Sequence, residues 1–245
     1  MTVTTIELTT PDGPARALLA EPLGAPRGGV VVAQEEFGLT DYVGAVCMRL
    51  AEAGFHAIAP ALYHRLGADG ADPVLGYEDA ADADQLVQQL TGDGLREDID
   101  AALAELTGRG LRLSGCGVVG FSLGGTVATY AAVWRALGAA VDFSGGGLTV
   151  ERFGLPDPVE AAGEAQAPVL GLYGEADPGV TEADVERFRE ALHTAPVPTE
   201  VVRYPQAGHR FYSGRPEDYA PAALEDAWPR CIAWLDRHLT PPVAI

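Results

Sequence analysis

A serine stands in a glycine-flanked pentapeptide, Gly120-Phe121-Ser122-Leu123-Gly124. The aliphatic residues before it are typical of a strand, and the small residues after it are typical of a helix. A sharp turn between the two would expose the Ser122 hydroxyl, and the glycines would avoid collisions where strand and helix cross. Such a hydroxyl suits nucleophilic attack on a carbonyl carbon. The structural alternative is an ordinary strand-to-helix turn that happens to contain a serine.

A serine hydroxyl is a poor nucleophile until a base removes its proton. His209 is the best candidate of the five histidines, because it directly follows the last predicted strand and is therefore expected at the carboxyl edge of the sheet. His64 lies in a loop near the site and is a candidate substrate contact. The other three fall in a predicted strand or in predicted helices.

A carboxylate is expected to orient the imidazole and to stabilise its charged form. Asp177 follows the predicted strand Val169–Gly174 and completes the chain order serine, aspartate, histidine. The alternative is Asp142, at the end of the preceding strand. We favour Asp177, because the acid of such a triad most often follows the penultimate strand.

The oxyanion that forms during attack on a carbonyl needs two hydrogen-bond donors. The backbone N–H of Leu123, directly after the nucleophile, is expected to be one of them. The second is expected from the turn after an early strand, in the segment Gln34-Glu35-Glu36-Phe37-Gly38. We assign it to the N–H of Glu36.

To meet, these residues need a sheet whose parallel strands end at one edge. Short apolar runs alternate with helical patterns along the chain, and this alternation predicts such a sheet. Strands are predicted at Thr4–Thr9, Ala15–Glu21, Gly29–Gln34, His56–Pro60, Gly115–Gly120, Ala139–Phe143, Val169–Gly174 and Glu200–Tyr204. Helices are predicted at Asp41–Ala53, between Glu78 and Leu106, at Leu123–Leu137, around Val185, Phe188 and Leu192, and finally with Leu224, Trp228, Cys231, Ile232 and Leu235 on one face. The expected fold is one α/β domain over residues 1–245, with a mostly parallel sheet covered by helices on both faces. The loops Ala61–Tyr77 and Ser144–Ala165 are expected to form the pocket.

The amino-acid composition limits which binding partners and which cellular compartment are expected. The formal net charge is −19, which disfavours nucleic acid and anionic membranes as partners. All 16 basic residues are arginines, so a Schiff base with a lysine of this chain is excluded. The three cysteines are scattered and lack metal-ligand spacing, which favours reduced, buried thiols in a cytoplasmic protein. No membrane-spanning segment or secretory signal is predicted.

The sequence resembles the dienelactone hydrolase family, whose members are also called carboxymethylenebutenolidases. The matching landmarks are Gln34-Glu35-Glu36-Phe37-Gly38, Pro60-Ala61-Leu62-Tyr63-His64-Arg65, Gly120-Phe121-Ser122-Leu123-Gly124-Gly125, Asp177 and Gly208-His209. The resemblance implies an α/β-hydrolase fold and a single cofactor-free, metal-free domain that opens lactones or esters through an acyl-enzyme.

Two departures from the family pattern concern the nucleophile and the substrate. The best-known members use a cysteine, and a glutamate matching Glu35 contacts its thiol. With Ser122 in that place, Glu35 is expected either to accept a hydrogen bond from the serine or to shape the pocket. The family holds a substrate carboxylate with arginines. Arg210 is a candidate substrate contact in this chain, but its position does not match the family spacing. A more neutral ester or lactone is therefore expected.

The remaining candidate substrate contacts are aromatic. They are Phe37, Tyr63, Phe121 and Tyr212, of which we expect two to belong to the core instead. The sequence as a whole predicts a serine hydrolase of small esters or lactones. Two alternatives are an acyltransferase, thioesterase or cyclase acting with the same residues, and a ligand-binding member of the fold without turnover.

Overall fold

A computed structural model describes residues 1–67, 72–213 and 220–241 of the chain, so part of the predicted loop Ala61–Tyr77 lies outside the described residues. The strands are β1 (Val3–Thr10), β2 (Gly13–Ala20), β3 (Gly29–Ala33), β4 (His56–Pro60), β5 (Cys116–Phe121), β6 (Ala139–Phe143), β7 (Val169–Gly174) and β8 (Thr199–Tyr204). The helices are α1 (Asp41–Glu52), α2 (Ala80–Val87), α3 (Gly92–Gly108), α4 (Leu123–Trp134), α5 (Pro158–Ala162), α6 (Glu182–Leu192) and α7 (Pro221–His238).

The eight strands form one sheet in the order β1-β2-β4-β3-β5-β6-β7-β8. The pairs β1–β2 and β2–β4 are antiparallel, and every pair from β4 to β8 is parallel. The carboxyl ends of the six parallel strands therefore meet at one edge of the sheet. The predicted mostly parallel sheet is confirmed, and each predicted strand agrees with the structure to within two residues.

Strand β5 lies in the middle of the sheet and is buried along its whole length. Cys116 and Val118 face the core beneath α3, α4 and α6, whereas Val119 and Phe121 face the core beneath α1 and α7. A strand covered on both faces can be apolar at every position, which explains why its sequence shows no alternation.

Local capping defines several helix starts. The Thr91 hydroxyl accepts a hydrogen bond from the Gly94 N–H at the start of α3, and Thr181 does the same for Asp184 at the start of α6. Each bond satisfies an N–H that has no partner within its helix. The helical pattern predicted between Glu78 and Leu106 divides into α2 and α3, with Thr91 capping the second.

The face of α7 differs from the expectation. The buried residues are Ala223, Ala227, Cys231, Trp234 and Leu235, whereas Leu224, Trp228 and Ile232 are half-buried. The small alanines fit close against the core, and Trp228 lies instead beneath the guanidinium of Arg49, 4.2 Å from it. The prediction is right for Cys231 and Leu235, but the buried face is displaced by about one position toward Ala223, Ala227 and Trp234.

All three cysteines are free and buried, and burial raises the pKa of the Cys47 and Cys116 thiols to about 12. Because the thiolate is the reactive form, we expect the native protein to react very slowly with Ellman's reagent. Three equivalents should react at once after denaturation in guanidinium. Rapid release of even one equivalent from the native protein would contradict this packing.

Candidate active site

Ser122 occupies a strained turn between β5 and α4. Its backbone has φ 51° and ψ −115°, a conformation that residues with side chains rarely adopt. A Cβ at Gly120 would lie 1.7 Å from the carbonyl oxygen of Gly124, and one at Gly124 would lie 2.1 Å from that of Ala33. Only glycine permits this close crossing of helix and strands, so the two glycines hold the serine at the edge of the sheet.

The start of α4 supplies a backbone donor directly beside the Ser122 side chain. Leu123 is the first residue of the helix, and the N–H groups of a first turn have no partner within the helix. The helix dipole adds a partial positive charge at the same end. This end of α4 therefore suits a developing negative charge next to Ser122.

His209 lies in the loop after β8 and reaches Ser122 across the sheet edge. Its Nε2 is 2.8 Å from Ser122 Oγ, and its side chain is about one quarter exposed. The loop is tied to the one after β7, because the Ala176 N–H donates to the Ala207 carbonyl at 2.9 Å. A Cβ at Gly174 would lie 2.3 Å from that same carbonyl oxygen, so this glycine lets the two loops approach.

Asp177, from the loop after β7, contacts the other side of the imidazole. Its Oδ2 lies 2.6 Å from His209 Nδ1, and its Oδ1 accepts the Gly179 N–H at 2.8 Å. Burial of His209 lowers the pKa of its imidazole, but the hydrogen bond and the charge of Asp177 outweigh burial and raise that pKa above its ordinary value. The structure thus brings Ser122, His209 and Asp177 into one hydrogen-bonded chain.

Asp142, the alternative acid, has other partners. It is fully buried and accepts hydrogen bonds from Thr129 Oγ1, the Tyr173 hydroxyl and the Gly145 N–H, at 3.0, 2.7 and 2.7 Å. Burial raises the pKa of this carboxyl to about 6. Its contacts link β6 to α4 and β7, which is the arrangement of a structural carboxylate.

The loop after β3 carries Glu36 and is fixed from two sides. The Tyr63 hydroxyl donates to the Glu36 carbonyl at 2.8 Å, and Arg210 Nη2 donates to Glu36 Oε1 at 3.0 Å. The Glu36 side chain lines the same pocket as Ser122. The loop proposed for the second oxyanion donor is therefore held beside the serine and tied to the residue after His209.

Glu35 is completely buried but is not hydrogen-bonded to Ser122. The Tyr77 hydroxyl donates to its Oε2 at 2.9 Å, and the Tyr212 hydroxyl donates to its Oε1 at 3.1 Å. Burial, with a smaller contribution from the negative charge of Glu36, raises the pKa of this carboxyl. Of the two roles expected for Glu35, its contacts favour shaping of the site over a hydrogen bond with Ser122.

The candidate substrate contacts lie mainly in the interior. Phe37, Tyr63 and Phe121 are no more than 1% exposed. Phe121 and Tyr212 line a separate apolar cavity of about 220 Å³ between α1 and α7, together with Trp228. These aromatic side chains therefore belong to the apolar core. We expected only two of them there, and more than two are found.

The two polar candidates also have protein partners. His64 Nε2 is 2.9 Å from the buried carboxylate of Asp98, which Arg65 also binds. Arg210 binds Glu36, and its guanidinium lies within 5 Å of the ring centres of Phe37 and Tyr77. Both side chains therefore support the loops around the site.

The cavity beside Ser122 has a volume of about 180 Å³, and the aromatic candidates do not line it. It is lined by Glu36, Asp84, Val87, Ser122, Leu123, Gly146 and Arg152. Gly146 and Arg152 come from the loop Ser144–Ala165, which was expected to form the pocket. Asp84, Val87 and Arg152 belong to no recognisable motif, so the sequence alone does not single them out. Among the described residues, no group of three or more His, Cys, Asp or Glu side chains is arranged to hold a metal ion.

An eight-stranded, mostly parallel sheet with a strained serine turn at its carboxyl edge and helices on both faces defines the α/β-hydrolase fold. The dienelactone hydrolase family model matches residues 15–239. The chain belongs to the dienelactone hydrolase family, and it is a hydrolase that acts on ester or lactone bonds.

Individual relatives agree with this assignment. A Methylorubrum extorquens protein provisionally named carboxymethylenebutenolidase is 34% identical over 226 residues, 91% of this chain and 76% of the relative. The carboxymethylenebutenolidase of Rhodococcus opacus is 31% identical over 86% of this chain and 81% of its own length. A crystal structure from Klebsiella pneumoniae, provisionally named a dienelactone hydrolase, has 31% identity and a TM-score of 0.83 over 96% of this chain and 99% of its own.

The contacts of Asp142 predict that its replacement reduces stability. Asp142→Ala leaves three buried donors without an acceptor, so we expect the free energy of unfolding to fall by about 3 kcal/mol or more. Urea unfolding followed by circular dichroism measures this, and Asp142→Asn, which keeps the side-chain volume, should cost less. An Asp142→Ala variant of undiminished stability would show that these hydrogen bonds matter little.

Proposed function

We propose that the protein hydrolyses a small ester or lactone through an acyl-enzyme on Ser122, with His209 as general base and Asp177 as the residue that orients the imidazole. The hydrogen-bonded chain from Ser122 through His209 to Asp177 is the observation that carries this proposal. Membership of the dienelactone hydrolase family supports the bond type that is cleaved.

In the first half of the reaction, Ser122 Oγ attacks the carbonyl carbon. His209, with its own proton on Nδ1 and directed at Asp177, accepts the serine proton on Nε2. The N–H groups of Leu123 and Glu36 stabilise the oxyanion, and each such donor contributes about 3 kcal/mol to the transition state. His209 then transfers the proton to the departing alkoxide, which leaves as the alcohol, or as the hydroxyl end of an opened lactone.

In the second half, water attacks the acyl-enzyme. His209 Nε2 removes a proton from the water, the oxyanion forms between the same two N–H groups, and the proton returns to Ser122 as the ester bond to the enzyme breaks. The acid is released and the resting enzyme is restored. The side chains of this chain supply every proton transfer in the scheme, so the proposal requires no cofactor.

Other properties of the chain fit a small-molecule enzyme of a reducing compartment. The three cysteines are free and buried, which supports the proposed cytoplasmic location. The net charge of −19 disfavours nucleic acid and anionic lipid as partners. No helix within the described residues is both long and apolar enough to cross a bilayer.

Labelling with a fluorophosphonate tests the nucleophile. We expect one adduct by intact mass, located on Ser122 by peptide mapping, and none in Ser122→Ala. An activated hydroxyl attacks phosphorus for the same reason that it attacks a carbonyl carbon. If a control hydrolase is labelled and this protein is not, the catalytic proposal fails and a ligand-binding role is favoured.

The same scheme predicts the pH dependence. His209 must be neutral to accept the serine proton, so kcat/KM should fall as the pH drops through the raised pKa of His209. In Asp177→Asn the carboxylate that raises this pKa is gone while burial still lowers it. The acidic inflection should therefore move to lower pH, and kcat should fall by about 10⁴-fold.

Initial rates of 4-nitrophenyl acetate hydrolysis between pH 5 and 9 measure both effects. Asp157→Asn, at the start of α5, is a control that changes a carboxylate away from the pocket and should leave the profile unchanged. An acidic inflection that stays in place in Asp177→Asn would separate Asp177 from the base.

A further inference from the structure

A second cavity lies on the opposite face of the sheet from the cavity beside Ser122. It has a volume of about 220 Å³ and lies between α1 and α7, against the carboxyl ends of β5 and β6. Within the part of the chain that the structure describes, the two cavities share no lining residue. The proposed catalytic residues are absent from this described lining, so the reaction scheme gives the α1–α7 cavity no role.

Aromatic rings form the inner wall of the α1–α7 cavity. The ring centre of Phe121 is 5.6 Å from that of Tyr42, which is nearly perpendicular to it, and 5.0 Å from that of Tyr212, which is tilted. Phe143 stacks on Phe121 at 4.8 Å, and Trp228 lines the cavity from α7. Aromatic rings prefer such tilted and edge-to-face neighbours, so one more ring in the cavity would have favourable partners.

The two tyrosines of this wall use their hydroxyl groups elsewhere. The Tyr212 hydroxyl donates to Glu35 Oε1 at 3.1 Å, and the Tyr42 hydroxyl donates to the Tyr212 carbonyl at 3.4 Å. With these groups already hydrogen-bonded, the tyrosines present mainly ring carbon to the cavity. A charged ligand group placed against this wall would lose its hydration without compensation, so the wall suits an uncharged ligand.

Arg49 is the one charged side chain among the described residues that line the cavity. Its guanidinium carbon lies 4.2 Å from the ring centre of Trp228, and the residue is exposed on α1. The cation is therefore at the solvent side of the cavity, beside the ring surfaces. A cation is attracted to the face of an aromatic ring and not to a saturated ring of the same size.

The size of the cavity fits one ring. An engineered apolar cavity of about 150 Å³ is already large enough to bind benzene. Two alanines, Ala45 on α1 and Ala227 on α7, leave the space between the helices. Side chains that face an empty apolar cavity lose dispersion contacts, and a ligand of matching shape restores them.

We propose that the α1–α7 cavity is a binding site for a small, uncharged aromatic molecule with a single ring, separate from the catalytic site. The bound ring packs against Phe121, Tyr212 and Trp228. The site lies directly behind the serine turn, because Phe121 precedes Ser122 and the Phe143 carbonyl accepts the Ser122 N–H at 2.9 Å. Occupancy therefore reinforces the packing beneath Ser122 without contact to Ser122 itself.

Phenol and cyclohexanol are matched probes for this site. Both are uncharged at pH 7 and carry one hydroxyl on a six-membered ring, but only phenol is aromatic. Titration of the ¹⁵N-labelled protein, followed by NMR, reports binding through the indole N–H of Trp228, which Trp228→Phe identifies. The indoles of Trp134 and Trp234 do not line the cavity and are internal references.

We expect phenol to shift the Trp228 signal with a Kd of about 1 mM or lower, and to bind about 2- to 10-fold more tightly than cyclohexanol. Ala45→Phe and Ala227→Leu place side-chain atoms in the cavity and should each weaken phenol binding by about 10-fold or more. Ala104→Phe, at an exposed alanine on α3, is the matched control for Ala45→Phe and should leave the Kd unchanged.

Val87→Phe separates the two cavities, because Val87 lines the cavity beside Ser122. We expect this variant to bind phenol with the wild-type Kd, whether or not the protein is an active hydrolase. A loss of phenol binding in Val87→Phe would assign the ligand to the catalytic cavity and overturn the proposal.

Other outcomes would also contradict the proposed site. Equal affinities for phenol and cyclohexanol would show that the cavity does not select an aromatic ring. Unchanged phenol binding in both Ala45→Phe and Ala227→Leu, with each variant folded by circular dichroism, would place the ligand elsewhere. A Trp228 signal that stays in place at high phenol concentration would show that the cavity binds no such ring.

Discussion

The close crossing of α4 over β5 and β3 is the constraint on which the rest of the site depends. It forces Ser122 into a backbone conformation that costs of the order of 1–3 kcal/mol, and the surrounding packing has to supply that energy. Gly120 and Gly124 make the crossing sterically possible, and the two-sided burial of β5 makes it rigid. The strain has a chemical consequence, because it directs the hydroxyl away from the sheet and toward His209.

Around that turn, long-range contacts join loops that the sheet brings to one edge. The loop after β3 is bound to the segment that follows His209 through Glu36 and Arg210, and a second time through Glu35 and Tyr212. The carboxylates in this network accept hydrogen bonds from tyrosine and arginine donors. The hydrogen bonds to Glu35 offset part of the free-energy cost of burying its carboxylate, and the network fixes the loop after β3 relative to the segment that carries His209.

Two buried aspartates show that the same type of side chain can have different roles, depending on its hydrogen-bond partners. Asp142 lies near the end of β6, Asp177 follows the adjacent parallel strand β7, and each is almost inaccessible to water. Asp142 is surrounded by neutral donors, so burial dominates and raises its pKa to about 6. Asp177 faces an imidazole, and its effect is seen on that group, whose pKa it raises. The hydrogen-bond partners therefore distinguish the two aspartates. Asp177 contacts the imidazole of His209 and can orient it, whereas Asp142 joins β6 to α4 and β7.

The amino-acid sequence by itself determined the order and type of the main elements, the serine turn and the chain order of Ser122, Asp177 and His209. These features are local: apolar runs, helical periodicity and glycines at a fixed spacing express them within a few residues. The buried face of α7 was predicted about one position out of place, because Ala227 and Trp228 fit the same helical periodicity and only packing decides which of them is fully buried.

Only the tertiary structure decided which side chains meet across the sheet edge. It placed Phe121 and Tyr212 on a different cavity from Ser122, gave Glu35 two tyrosine partners, and brought Arg152 into the cavity beside Ser122. Each of these results depends on contacts between segments tens of residues apart. Such contacts are set by how helices and loops pack on the sheet, and the short-range pattern of the chain does not encode them.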